Sequence, residues 1–236
     1  MKYYIGFILL CIAFSVDAQS PKQIVHSCVK KFELINSYKA KVHLDFDLPD
    51  INMKSRDAKV YYKKPNKFKI KSQGILFLPK QNPYESFDLL RDTNAYTAVL
   101  VNEEIVQQKK CKIILVVPTK QEDIILCKLW IEDRNQLIYK IQLTTKSNGT
   151  ILADYYYGSY IKSGLPDKTI YEIEMNKFKI PKALAVDLNG KKKVKKSTGA
   201  NTGTIQMLFT EYQINIPVTE IWDWSIEARR EKTLIT

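Results

Sequence analysis

The chain has 236 residues, of which 45% are apolar, and it carries a formal net charge of +12. This length is enough for one large all-β domain, and we find no internal repeat or linker that would divide it. No nucleic-acid-binding signature accompanies the positive charge, so we expect no nucleic-acid partner.

The first 18 residues have the features of a secretory signal peptide. Lys2 precedes an apolar run over residues 5–16, and the run is too short to span a bilayer comfortably. Val16-Asp17-Ala18 then provides a small-residue cleavage site. We therefore predict a leader over residues 1–18, cleaved near Ala18, and a single mature domain over residues 19–236.

An amphipathic helix is predicted directly after the leader. Ser20 is a suitable N-cap, Pro21 suits the first turn, and the helix is expected to end at Asn36. Apolar residues at helical spacing make one stripe along it. This stripe consists of Ile24, Val25, Cys28, Val29, Phe32 and Ile35.

A long strand is predicted over residues 38–48, because apolar and polar residues alternate there with a period of two. One side of the strand is dry and consists of Tyr38, Ala40, Val42, Leu44, Phe46 and Leu48. The other side is wet and consists of Lys39, Lys41, His43, Asp45 and Asp47. Such a pattern is typical of a sheet with one buried and one solvated face.

Further short strands rich in Tyr, Ile and Val follow, each bounded by turn residues. They are predicted over residues 56–63, 66–73, 87–92, 95–101, 111–117, 124–131, 137–145, 150–158, 168–175 and 203–215. Ser147-Asn148-Gly149 is a strong hairpin turn between two of them. The spacing favours antiparallel neighbours, and hence a barrel-like or strongly curved sheet.

Three cysteines follow the leader. Cys28 lies on the apolar side of the helix and is expected to be a buried small hydrophobe. Cys111 and Cys127 fall on neighbouring predicted strands. The sequence does not decide whether these two are bridged, because their register is not determined.

Catalytic and cofactor motifs are absent from the sequence. Neither His26 nor His43 has other ligand residues at metal-binding spacing, and we find no nucleophile elbow or phosphate-binding glycine loop. We therefore expect no enzymatic activity, no metal and no cofactor.

The densest positive charge lies in the run Lys191-Lys192-Lys193-Val194-Lys195-Lys196. A solvated, mobile loop is the favoured interpretation, because neighbouring like charges repel and stay hydrated. Contact with an anionic membrane surface or glycan is the functional alternative.

The segment Tyr61-Tyr62-Lys63-Lys64-Pro65-Asn66-Lys67-Phe68-Lys69-Ile70 resembles a signature of the LolA-like periplasmic lipoprotein carriers. Ile35-Asn36-Ser37-Tyr38-Lys39-Ala40 stands before the long strand, as in that family. Val116-Val117-Pro118, Leu129-Trp130-Ile131-Glu132-Asp133 and the 147–149 hairpin are similar to its second half. The resemblance covers residues 20–182, and it suggests a divergent member.

The resemblance implies an α+β, mainly β fold: one curved antiparallel sheet forming an incomplete barrel, with helices covering its opening. It also implies a periplasmic, monomeric carrier that takes acylated lipoproteins or similar lipids from an inner-membrane transporter to an outer-membrane acceptor, with transient membrane contact. Regulators share this fold, so a module that binds a protein partner or an anionic glycan is the alternative.

The resemblance assigns the ligand face to the dry side of the long strand and its neighbours. The predicted binding residues are Val42, Leu44, Phe46, Tyr62, Lys64, Phe68 and Ile70. The predicted lid residues are Ile24, Val25, Cys28 and Phe32. On the residues alone, the favoured interpretation is that the same side chains are core that packs against the helix; the resemblance favours the ligand face instead.

Two departures from the family pattern carry predictions. Lys64 stands where the family has an arginine that steadies the lid, and lysine donates from one point only, so a latch here should be weaker or absent. The apolar segment Gly74-Ile75-Leu76-Phe77-Leu78-Pro79 is either a buried strand end or a loop that touches membrane or gates ligand.

Overall fold

The computed structural model describes residues 19–49, 51, 53–65, 67–73, 88–120, 123–175 and 202–217. Three predicted features lie outside these residues: the leader over 1–18, the apolar segment over 74–79 and the lysine run over 191–196.

Helix α1 spans Pro21–Glu33 and begins with a capping box. The Ser20 hydroxyl accepts from the Gln23 backbone N–H at 3.3 Å, while the Gln23 side chain accepts from the Ser20 N–H at 2.7 Å. The predicted apolar stripe is buried, as expected. The helix ends three residues before the predicted Asn36, with Leu34 as its C-cap.

Within the described residues, the sheet has ten strands. They are β1 (Ser37–Asp47), β2 (Arg56–Lys63), β3 (Lys67–Ser72), β4 (Tyr96–Val106), β5 (Lys109–Pro118), β6 (Ile124–Glu132), β7 (Leu137–Thr145), β8 (Gly149–Tyr156), β9 (Lys168–Glu174) and β10 (Thr202–Ile214). A short 3₁₀ helix, Ile161–Ser163, lies between β8 and β9.

The strands form one antiparallel sheet in the order β3-β2-β1-β10-β9-β8-β7-β6-β5-β4. Strands β3 and β4 follow each other in the chain, yet they are the two opposite edges of the sheet. The sheet is therefore not closed, and the predicted antiparallel fold of an incomplete barrel is confirmed.

The strand predicted over residues 87–92 is wrong. Residues 88–91 form a helical turn in which Asp88 and Arg91 make an ion pair three residues apart. Leu90 is fully buried in the main core. A run this short, with two adjacent leucines, carries no periodicity that could separate helix from strand.

The main core lies between α1 and the inner face of the sheet. A smaller cluster, which includes Cys111 and Trp130, lies on the outer face of β5–β7. Cys127 belongs to the main core, so it lies on the opposite face of the sheet from Cys111. The described cysteines are all free, which excludes the disulfide that the sequence left open.

Candidate functional site

The inner face is built from alternate residues of neighbouring strands, because successive side chains of a strand point to opposite faces. Val42 of β1 pairs in register with Ala58 of β2 and Phe209 of β10. Leu44, on the same side of β1, is opposite Met207. The result is a continuous apolar surface across these strands.

All ten apolar residues of the predicted site lie together in the main core. Seven of them are buried: Val42, Leu44, Tyr62, Ile24, Val25, Cys28 and Phe32. Three are half-buried and pack against that core: Phe46, Phe68 and Ile70. The structure thus brings these residues together as core beneath α1, and their role in binding a ligand stays a prediction.

A small apolar cavity of about 40 Å³ lies beside this core. It is lined by Phe32 of α1, Phe68 of β3, Tyr155 of β8, and Met207 and Phe209 of β10. The cavity is comparable to the volume of about 30 Å³ that one water molecule occupies in the liquid. This cavity is therefore too small for an acyl chain.

Two lysines attach the outward side of α1 to distant loops. Lys22 Nζ donates to the Thr93 carbonyl at 2.9 Å, and Lys31 Nζ donates to the Asn135 carbonyl at 2.6 Å. Both are single hydrogen bonds from flexible side chains. Each stabilises the helix position by a modest amount, of the order of 1–3 kcal/mol.

The C-terminal end of α1 is held by Lys64 and Arg91. Lys64 Nζ donates to the Glu33 carbonyl at 3.0 Å. Arg91 Nε lies 3.3 Å from Glu33 Oε1, and its Nη2 donates to the Pro65 carbonyl. Lys64 therefore contacts the end of the helix, and the expectation that a lid latch here is weaker or absent stays a prediction.

An aromatic cluster surrounds this end of the helix. The Tyr62 ring lies 5.2 Å from that of Phe32 and 5.3 Å from that of Tyr38, between centroids. Burial raises the pKa of the Tyr62 phenol, whose hydroxyl donates to the Pro65 carbonyl at 3.2 Å. Tyr62 is consequently a neutral donor that joins the inner face to the β2–β3 turn.

This architecture is similar to three solved structures. One is a LolA superfamily protein from Nitrosomonas europaea, with a TM-score of 0.56 and 11% identity over 89% of this chain and 100% of that chain. This chain has the LolA-like fold. No protein-family model matches the sequence, and no curated protein sequence matches it either.

Two further structures agree with the LolA-like fold. A DUF1329 family protein from Desulfovibrio piger has a TM-score of 0.53 and 8% identity over 88% of this chain and 99% of that chain. A proposed outer membrane lipoprotein-sorting protein domain from Vibrio parahaemolyticus has a TM-score of 0.52 and 7% identity over 85% of this chain and 95% of that chain.

Several residues around the core and the end of α1 could not be anticipated from the sequence. Arg91 was assigned to a strand that does not exist, so its position at the end of α1 could not be anticipated. Met207 and Phe209 flank the apolar Leu208 on β10, so the sequence shows no clean alternation there that would place them on the inner face. Leu165, which also lines the cavity, lies in a loop and carries no comparable signal.

The thiols in the LolA-like core are neutral. Burial raises the pKa of Cys28 on α1 and of Cys127 on β6 to about 12 each. Because the thiolate is the reactive form, both groups are inert while they remain covered.

Within the described ranges, no three or more potential metal-ligand side chains cluster together. Among the helices of those ranges, none has the length and apolar character needed to cross a bilayer.

Proposed function

We propose that this protein is a non-enzymatic periplasmic carrier for the acyl chains of lipoproteins or similar lipids. It would receive its cargo at the inner membrane and release it at the outer membrane. The observation that carries the proposal is an apolar inner face to which all ten described strands contribute, with α1 packed against part of it and joined directly to β1 through residues 34–36.

The energetics of the cargo require such a surface. Burial of each methylene group contributes about 0.8 kcal/mol, so a sixteen-carbon chain represents about 12 kcal/mol against water. Such a chain does not cross an aqueous compartment unaided. The inner face around Val42, Leu44, Tyr62, Phe68 and Ile70 would offer equivalent apolar surface.

Cargo entry would require α1 to lift from the sheet, since the cavity of about 40 Å³ is far too small. The connection over residues 34–36 is a suitable hinge, because the Asn36 N–H is bonded to Asn215 Oδ1 at 2.8 Å and stays with the sheet. The lifted helix would expose Ile24, Val25, Cys28 and Phe32, which the acyl chains would then cover.

Native mass spectrometry of protein purified from the periplasm tests this function. We expect co-purifying lipid or lipoprotein, and replacement of the cavity-lining Phe68 by Ala should weaken binding of a fluorescent acyl probe. Ile125→Ala is the matched control, because Ile125 is an exposed apolar residue away from the cavity. A protein that is persistently empty and does not bind the probe would refute the carrier.

Cleavage of a signal peptide over residues 1–18 is part of the same proposal. Cleavage near Ala18 would release the domain beginning at residue 19 into the periplasm. Intact mass measurement of the exported protein checks this directly, and retention of residues 1–18 would contradict it.

A second candidate, a module that binds a protein partner, is favoured by the β4 edge. Val99, Val101 and Ile105 on this edge strand are 49%, 55% and 75% exposed. The other edge, β3, carries lysines, which discourage strand pairing. Strand β4 is thus the edge on which an extended segment of another protein could add a strand.

Substitution of Val99 by Lys distinguishes this candidate. It should abolish capture of one stoichiometric protein while acyl-probe binding is retained. Ile125→Lys is the control, since Ile125 has the same exposed fraction as Val99 but lies on an interior strand. Equal capture by both variants would remove the β4 edge from consideration.

A further inference from the structure

Strand β4 is the longer of the two edges of the described sheet. It has 11 residues and pairs with β5 on one side only, whereas the other edge strand, β3, has 6 residues. The backbone N–H and C=O groups along such an edge are a template for pairing with another chain. Lysine and proline commonly protect natural edges, and the sequence of β4 contains neither. This edge is therefore suited to receive another strand.

Apolar side chains of β4 are exposed on both faces of the sheet. Val99 is opposite Leu115 of β5 and Leu100 is opposite Ile114, so Val99 and Leu100 point to opposite faces. They are 49% and 44% exposed, and Ile105 is 75% exposed. A partner lying on the sheet would cover one face only. A strand added alongside β4 would cover apolar side chains on both faces at once.

A β-bulge at Val101 restricts which strand can be added. Val101 has no opposite residue in the register of β4 and β5, while Val99 is opposite Leu115 and Asn102 is opposite Ile113. Because Leu115 and Ile113 are two positions apart, Val99 and Asn102 point to the same face although they are three positions apart. A straight strand would therefore match the faces of β4 on one side of the bulge only.

A second copy of β4 carries the same bulge and fits on both sides of it. We consider an antiparallel pair with its two-fold axis between Leu100 and Val101, in which Val99 is opposite Asn102 of the second copy. By symmetry, Asn102 is then opposite the second copy's Val99. The residues of each pair point to the same face, because Val99 and Asn102 do so within one chain. The bulge thus disfavours straight strands and is compatible with its own copy.

The charges of β4 are also compatible with this register. Each glutamate is already bound within its own chain, since Glu103 Oε2 lies 2.6 Å from Lys110 Nζ and Glu104 Oε2 accepts from Trp130 Nε1 at 2.7 Å. In the proposed register the glutamates lie opposite two uncharged residues of the second copy, Ala98 and Thr97. Like charges directly opposed across a strand pair are destabilising, and this arrangement avoids them.

The alternative pairing, of β4 with the β3 edge of another copy, is disfavoured. Strand β3 is too short to cover β4, so part of the exposed edge would stay unpaired. Head-to-tail contacts of that kind also extend into open filaments unless they close into a ring. The β4–β4 contact uses the same surface of both copies and closes at two chains.

We propose that two copies of this protein associate through antiparallel pairing of their β4 edges. The inference rests on the edge named for the second candidate function and identifies the partner there as this chain itself; it does not depend on the carrier function. It differs from the monomer that the family resemblance implies. An edge-to-edge contact is small, so the dimer is weak and depends on concentration. A paired edge is closed to a strand from any other protein.

Sedimentation velocity of the purified protein over about 5–500 µM tests the proposal, with a shift from the mass of one chain to that of two expected. Leu100→Lys and Leu100→Asp should each weaken association at least about tenfold, because each new charge lies near its own counterpart across the two-fold axis. An equimolar mixture of the two variants should recover association, since opposite charges then lie there. In the native protein, hydrogen exchange at β4 amides should slow as the concentration rises.

Leu208→Lys is the matched control, because Leu208 is 42% exposed but lies on the interior strand β10. It should change the dissociation constant by less than about twofold, and circular dichroism should show a retained sheet in every variant. The mass of one chain at all concentrations, no recovery in the mixture, or an equal loss in the control would overturn the proposal. Capture of a different protein at β4 without self-association would overturn it too, and would leave the second candidate function standing.

Discussion

Removal of the Lys64 ammonium group should loosen α1 without unfolding the sheet. Its Nζ donates to the Glu33 carbonyl, at the helix end where the macrodipole is negative. A hydrogen bond from a charged group contributes about 1.5–3 kcal/mol, and we take about 1 kcal/mol because Lys64 is partly exposed. Since 1.4 kcal/mol is a factor of ten, Lys64→Met should raise the population of the lifted helix about fivefold.

The Cys28 thiol reports on this equilibrium. It lies on the buried side of α1, with its pKa raised by burial to about 12, so it reacts only when the helix lifts. Alkylation at about pH 8, followed peptide by peptide with mass spectrometry, should be about fivefold faster at Cys28 in Lys64→Met. Cys111 is the internal reference, because it is buried in the separate cluster on the outer face, away from α1.

Lys63→Met serves as the control variant, since Lys63 is the chain neighbour of Lys64 but points to the outer face. It should leave the Cys28 rate unchanged. If Cys28 and Cys111 accelerate together, the substitution has destabilised the whole domain, and the helix is not a separate lid. An unchanged Cys28 rate would show that Lys64 does not hold the helix.

Three further outcomes are expected. The hydrogen bond to Asp57 is the main cause that raises the pKa of His43. Protonated His43 therefore stabilises the fold below pH 6.5, and this stabilisation is lost as pH rises through the pKa of His43 in the folded protein. Asp57→Asn should lower the pKa of His43, as measured by NMR titration. Leu90→Ala should lower the free energy of unfolding, measured by chemical denaturation, by about 2–5 kcal/mol, because Leu90 is fully buried. Leu34→Ala, at a 75% exposed position, is the control and should lower it by less than about 0.5 kcal/mol. Similar losses in the two variants would contradict the buried turn over residues 88–91. Gly149 has φ +71°, so Gly149→Ala should lower the free energy of unfolding by about 1–2 kcal/mol. An unchanged denaturation midpoint would argue against the left-handed backbone at Gly149.

Local patterns predicted the elements that have a clear period. The alternation from Tyr38 to Asp47 defined β1, and the capping signal at Ser20 defined the start of α1. The turn over residues 88–91 was missed because its burial depends on distant strands. The hairpin at Gly149 was correct because its turn chemistry is entirely local.

The candidate site was harder to predict for a physical reason. Alternation shows that the side chains of Val42 and Leu44 are buried away from water, but packing against a helix or against an acyl chain would bury them equally well. The sequence therefore could not separate core from ligand face, and in the structure both residues are buried in the same core as the apolar side of α1. The Lys64–Glu33 contact joins two elements whose proximity follows only from the tertiary fold.

The pairing of β1 with β10 has a consequence for biogenesis. Residues 37–47 receive one of their two neighbours from residues 202–214, at the other end of the chain. Strands β1–β3 cannot pair with β10 until residues 202–214 have been synthesised, and such long-range pairing is intrinsically slow. We therefore expect the pairing of β1 with β10 to be a late step in folding, after local hairpins such as β7–β8 have formed.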